Sequence, residues 1–332
     1  MHRFLWALGL AFITACTSGP EKTEPDADGE YDFEGICRQG TGNVSVTGQW
    51  AGIADLAVGM EARRGSLVAL CPNPQEQPAE LLMRIHLTEG ESGTTQVELQ
   101  LCDLQLPTIF AAVASCPTDP SKILELSIFP SDALAAFLPT LQIFFDSGIP
   151  TEVGAGTAFR PDIFVELVGA ALDDPTDPLP FWDVSREGCT GSDKGTAEEC
   201  VEGYERLADD DGDGQLGVTL GASSGTNQLI AGEAYVTIRL SPQLDGTVKN
   251  EHCIEGNIAL NLDFTIVDSD VNVSGLKLNT PTLNDNIPPL DFLEKSRFKL
   301  LRADGPDVPF DDDGDGVITC AEIRNNRGHF LR

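Results

Sequence analysis

Positive charge is what this chain has least of. Its 332 residues carry 21 Lys and Arg against 53 Asp and Glu, a formal net charge of −32. A surface of that sign repels phosphate backbones and anionic membrane faces, so nucleic acid is excluded as a partner drawn in by the protein's own field. Histidine is scarcer still: beyond His2 the chain has only His86, His252 and His329. None of them stands in an H-E-x-x-H or comparable spacing, which leaves histidine-based zinc centres without ligands. No two cysteines fall within C-x2–4-C spacing, so a thiolate metal cluster has no basis either. No Gly-rich phosphate loop follows a strand pattern, and no apolar run is long enough for a membrane-spanning helix.

What is present is strand-forming material. Hydrophobic residues make up 41% of the chain, enough for one large core or two modest ones. From residue 44 onward the segments VSVTGQW, SLVALC, ELLMRIHL and TQVELQLCDLQL alternate apolar and polar positions. They are punctuated by CPNPQEQP and EGESG, as antiparallel strands and hairpins are. A second such stretch, 234–278, holds AYVTIRL, NIALNLDFTIV and VNVSGLKL, with Gly246 and Gly256 expected near turns or bulges. Two helices are expected between them: 131–146, kinked at Pro139, and 196–207, opened by a Thr cap. The expectation is a mainly β fold, an antiparallel sandwich or barrel with a few short helices. Its body spans 34–304, with room for a division into two subdomains near 120–190, and a separate C-terminal segment covers 305–332.

That last segment contains the strongest chemical signal. Asp311-Asp312-Asp313-Gly314-Asp315-Gly316-Val317-Ile318-Thr319-Cys320-Ala321-Glu322 satisfies every fixed position of a twelve-residue EF-hand loop and resembles one. The resemblance implies a Ca2+ site with carboxylates from Asp311, Asp313 and Asp315, the Val317 carbonyl, and a bidentate Glu322. Gly316 supplies the sharp turn, and Ile318 can anchor the loop on apolar surface. The approach, ADGPDVPF, has two prolines and no helical period, so an entering helix is not expected, whereas residues 321–331 can form the exiting one. A sensor must change an interhelical angle, so a structural clasp is the better reading, with Cys320 stapling the loop to the body.

Residues 209–220 repeat the DDDGDG core, offering Asp209, Asp211, Asp213 and the Gln215 carbonyl, with Leu216 at the inward position. Leu220 occupies the twelfth position and cannot coordinate, so any calcium there is completed by water or by an acid from elsewhere, with Glu202 and Glu205 on the preceding segment as candidates. This loop is similar to the shorter aspartate-rich calcium loops of thrombospondins and dockerins. Asp/Gly clusters also make turns without an ion.

The N-terminus pairs Arg3 with an apolar run from Phe4 to Ile13, the pattern of a signal peptide over residues 1–15. Ile13-Thr14-Ala15-Cys16 resembles the lipobox of bacterial lipoproteins, which implies lipidation of Cys16; an ordinary secretory signal is the alternative. Residues 16–33 are too polar to bury and read as a tether. The implied place is the bacterial outer membrane or cell surface, anchored by lipid and facing the periplasm or exterior. Setting Cys16 aside leaves Cys37, Cys71, Cys102, Cys116, Cys189, Cys200, Cys253 and Cys320, an even set in an oxidising compartment. Eight cysteines allow 105 pairings. The short Cys189–Cys200 loop is the first choice.

The functional expectation is a calcium-binding envelope module that binds a ligand or an envelope partner, with no catalytic residue assigned. Two alternatives stand beside it. One is a serine esterase using Ser223, in the G-x-S-x-G match of residues 221–225, with His252 or His329 as base, although 33 glycines make a chance match easy. The other is an adhesive surface protein in which calcium bridges partners.

Overall fold

The computed structural model describes residues 36–330 apart from 65, 67, 91–92, 114, 191–194, 226–228 and 305–309. The signal peptide, Cys16 and the tether lie outside the described residues. The alternating strand pattern folds as its period demands. Gly48–Met60 pairs antiparallel with Gln75–Glu89, from Gly48 opposite Leu87 to Met60 opposite Gln75. Thr94–Gln105 and then Ile143–Pro150 continue the sheet on that side. On the other side Arg297–Arg302 joins Gly48–Met60 to Cys253–Val273. The latter forms a long hairpin with Ile230–Asn250, each strand 21 residues. Val218–Ser223, Leu124–Pro130, Ile109–Val113 and Val68–Leu70 extend it further, and the short strands Ala158–Phe159, Glu166–Val168, Leu276–Leu278 and Leu290–Phe292 pair alongside to make one 15-stranded antiparallel sheet. Its terminal strands, Val68–Leu70 and Ile143–Pro150, do not pair with each other among the described residues. The 120–190 stretch contributes four strands of that same sheet.

The sheet curls, so side chains from its two halves meet on one face. Trp50, Leu56, Met83, Ile85 and Leu99 share a buried core with Val218, Val236, Ile254, Ile266 and Phe298. Trp50 is fully buried, and its indole N–H donates to the Val46 carbonyl at 3.0 Å. The strand period puts Ala51 and Ile53 on the opposite face. There they form a second core with Leu82, Leu301 and Ala303, closed by Phe310, Ile318, Ile323 and Phe330 of the C-terminal segment.

A β-bulge fastens that segment. Leu82 faces Asp103 and Met83 faces Leu101, so Cys102 is the extra residue in its strand. Bulges re-aim a side chain. Here Cys102 turns onto the outer face and bonds Cys320. The other pairs are Cys37–Cys253, Cys71–Cys116 and the short-range Cys189–Cys200.

Two local expectations change. Only Asp132–Phe137 of the 131–146 segment is α-helical; the Ser131 hydroxyl accepts from the Leu134 N–H as its cap. Pro139 sits in a 3-10 turn, and Ile143–Pro150 is a strand, because Thr94–Gln105 offers its β-branched and aromatic residues a ladder. In 196–207 the helix is confined to Ala197–Cys200; Val201–Glu202 then pairs with Phe181–Trp182. Gly246 and Gly256 do lie near the turn of the long hairpin and its bulge between Val248 and Asn250, where they stand opposite each other. A Cβ on Gly246 would lie 2.5 Å from the Phe298 ring, so the glycine leaves room for that aromatic.

Candidate metal centres

In the C-terminal loop the carboxylates of Asp311, Asp313 and Asp315 converge, each offering an oxygen within 4.8 Å of the others. Asp311 organises the turn by accepting from the N–H groups of Gly314 at 2.7 Å, Asp315 at 3.1 Å and Gly316 at 2.9 Å. Gly316 holds φ at +81°, which a side chain disfavours. The Val317 N–H donates to Asp315, and Ile318 points inward, fully buried in the second core. Glu322 is not one of the converging three. Its carboxylate accepts from the Asp312 N–H at 2.8 Å and from the N–H and hydroxyl of Thr319 at 2.7 and 2.8 Å. It therefore ties the start of the loop to the first turn of the Cys320–Asn325 helix through a capping box.

The sheet grips this loop through a residue that no motif signals. The Gln49 side-chain amide donates to the Gly316 carbonyl at 2.9 Å, and its oxygen accepts from the Ile318 N–H at 3.1 Å. Arg324 and Arg327 add contacts to the Cys102 carbonyl and to Glu80 and Gln105. No helix enters the loop among the described residues; the preceding element is the Arg297–Arg302 strand.

Asp209, Asp211 and Asp213 converge in the same way, within 4.8 Å. Asp209 accepts from the N–H groups of Asp213 and Gly214, and Asp213 accepts from the Gln215 N–H. Leu216 is half-buried here. Thr219, which the motif does not mark, donates its N–H to Asp211 at 3.0 Å and its hydroxyl to Asp213. The remaining Asp211 oxygen, Oδ1, is buried and has no hydrogen-bond partner. Burial is the main reason the Asp211 carboxyl is pushed above its ordinary pKa; Asp213 and Asp209 push the same way, and the Thr219 N–H opposes them. The candidate acids of the preceding segment are not among the converging groups, and Glu202 pairs with Arg186. Glu166 instead lies close enough to Asp210 to feel its charge, with burial again the larger cause of its raised pKa. It arrives from a distant strand, so spacing carries no trace of it.

Both trios suit a hard cation. The donors are all oxygen, and each like-charged pair costs about 1 kcal/mol even with water's dielectric. No Lys or Arg forms an ion pair with any of the six carboxylates among the described residues. At Asp211 the orphaned oxygen adds a specific unmet demand.

The residues of the esterase alternative are not brought together. Ser223 ends a strand that pairs antiparallel with Ile230–Asn250, and no α-helix of the kind a nucleophile elbow requires follows it among the described residues before Ile230. His252 lies at the turn of the long hairpin, whereas Ser223 pairs with Ala231 near its open end. His329 packs against Phe310, and His86 faces Glu98 across a strand pair. Comparison with protein-family models, curated proteins and solved structures returns no match for this chain.

Proposed function

We propose that this chain is a lipid-anchored envelope or cell-surface module whose β-body binds a partner and whose aspartate loops take calcium to stabilise the fold. The observation that carries the reading is the C-terminal loop. Three converging carboxylates sit on a segment held by Gln49, by a buried Ile318 and by the Cys102–Cys320 disulfide. An element fixed at so many points is suited to holding the C-terminus in place, as a clasp does, and poorly suited to a sensor's opening motion. Bound calcium would supply the positive charge these loops lack, with Asp311, Asp313 and Asp315 at one site and Asp209, Asp211 and Asp213 at the other. Extracellular calcium modules work at dissociation constants of about 10⁻⁴ to 10⁻³ M, so no tight site is needed outside the cell.

Melting curves with and without chelator test this. Calcium at a hundred times its dissociation constant stabilises by about 2.7 kcal/mol per site, a rise of about 5 °C for a protein of this size. A melting temperature indifferent to chelator removes the proposal. Asp211→Asn provides a sharper check because its two effects have opposite signs. Neutralising a carboxylate that burial disfavours is expected to raise the melting temperature in chelator and to shrink the calcium increment. Asp311→Asn is expected to lower both, since it weakens the amide contacts that shape its loop.

A further inference from the structure

The 15-stranded sheet forks. Cys253–Val273 pairs with Arg297–Arg302 over residues 253–257 and with Leu276–Leu278 over residues 271–273; among the described residues no strand pairs with that edge between them. On the far side of the gap, Leu290–Phe292 stays on Gly48–Met60, in line with Arg297–Arg302. The intervening 293–296 segment opens the sheet. The last bond before the fork is the Ile258 N–H to the Ser296 carbonyl at 3.2 Å, and Asn284 caps the Ile266 carbonyl at 3.0 Å. Because Ile258 directs its N–H away from the Ile230–Asn250 strand, the ladder's alternation sends the N–H and C=O of Leu260, Leu262 and Phe264 the same way. They form a row of backbone donors and acceptors of the kind that templates another strand.

A groove of about 530 Å³ lies along this row. Val165, Leu260, Leu262, Leu290 and Phe292 give it apolar walls. Asp263 and Asp291 also line it, and the guanidinium of Arg239 is engaged by Asp263 and by the carbonyls of Pro175 and Asp177. Acidic charge therefore exceeds available positive charge at the groove, on a chain of net charge −32. A second copy would bring the same charge to its own edge.

We propose that the Leu260–Phe264 edge is a β-augmentation site for an extended, cationic segment of a partner protein. The incoming backbone pairs with residues 260–264, alternate apolar side chains enter the groove, and Lys or Arg on the other face meets Asp263 and Asp291. This rests on the binding-module reading and names its surface. Calcium is kept in all assays and its own effect is read separately by melting, so either idea can fail without the other.

The probe is a ten-residue peptide of alternating valine and lysine, followed by fluorescence anisotropy. It is expected to bind, while its counterpart with alternate backbone nitrogens methylated, and a valine–glutamate analogue, bind at least tenfold more weakly. Leu262→Pro deletes an N–H that faces the groove and so spares the ladder to Ile230–Asn250; it is expected to weaken binding at least tenfold at a similar melting temperature. Asn261→Lys, on an exposed side chain, alters only the charge and is expected to weaken the lysine peptide and strengthen the glutamate one. Equal affinity for the methylated peptide, indifference to Asn261→Lys, or no binding at all overturns the proposal. Concentration-dependent dimerisation abolished by Leu262→Pro would also overturn it, by making a second copy the occupant.

Discussion

Gly256→Ala is expected to destabilise the protein by about 3 kcal/mol or more, among the larger effects a single methyl group can have. The added Cβ would stand 2.3 Å from both the Asp245 carbonyl oxygen and the Gly246 Cα. Both obstacles are backbone in the paired strand, so no rotamer change can make room, and the hairpin must shift along a register shared with Arg297–Arg302. Phe298, buried over the same glycine pair, loses its seat in the process. Gly328→Ala is the matched control, because a Cβ there meets nothing within 4 Å. Urea unfolding of the two variants checks this. Midpoints that agree with each other would mean the glycine pair is not a constraint.

The second large effect is expected from replacing Cys102 and Cys320 together by alanine. The bond joins residues 218 apart, and removing a native disulfide costs about 2–5 kcal/mol. The interleaved Cys37–Cys253 bond already gives residues 102 and 320 a shorter connecting path in the unfolded chain, so the lower part of the range is expected. The loss should be uneven. Phe310, Ile318, Ile323 and Phe330 cover a core of their own, so the C-terminal segment can lift while the sheet keeps its main core. Limited proteolysis is expected to release a fragment from beyond residue 304 at temperatures where the body still resists. Calcium should suppress that cleavage, since the loop it would order belongs to the lifting segment. If the body and the C-terminal segment become protease-sensitive at the same temperature, the segment is not a separable clasp.

The strand texture of this chain was legible because period two is a local property. ELLMRIHL and TQVELQLCDLQL show in sequence which positions face the core, and Met83, Ile85, Leu87, Val97 and Leu99 are buried accordingly. The aspartate loops were legible for a similar reason: each trio comes from consecutive alternate residues, so sequence spacing is nearly spatial spacing. The Cys189–Cys200 pair, 11 residues apart, belongs with them.

Helices were over-extended where the local pattern was ambiguous. Residues 141–146 read in sequence as the continuation of a kinked helix, and the strand was decided by Thr94–Gln105, a partner about fifty residues away that could satisfy their backbone groups. Long-range placement left no trace at all. Gln49 reaches a loop 267 residues on, Glu166 stands beside Asp210, and Gly246 faces Gly256 under the ring of Phe298.

By itself, then, the sequence determined the strand-rich class, the two carboxylate trios and the short Cys189–Cys200 pair, each set by neighbours within a dozen residues. Tertiary structure alone decided that the strands form one forked sheet, that a bulge turns Cys102 toward Cys320, and that an edge at Leu260–Phe264 is left without a partner strand. Those outcomes depend on how a curling sheet spaces its strands, and curvature is a property of many pairings at once, which no local run of residues encodes.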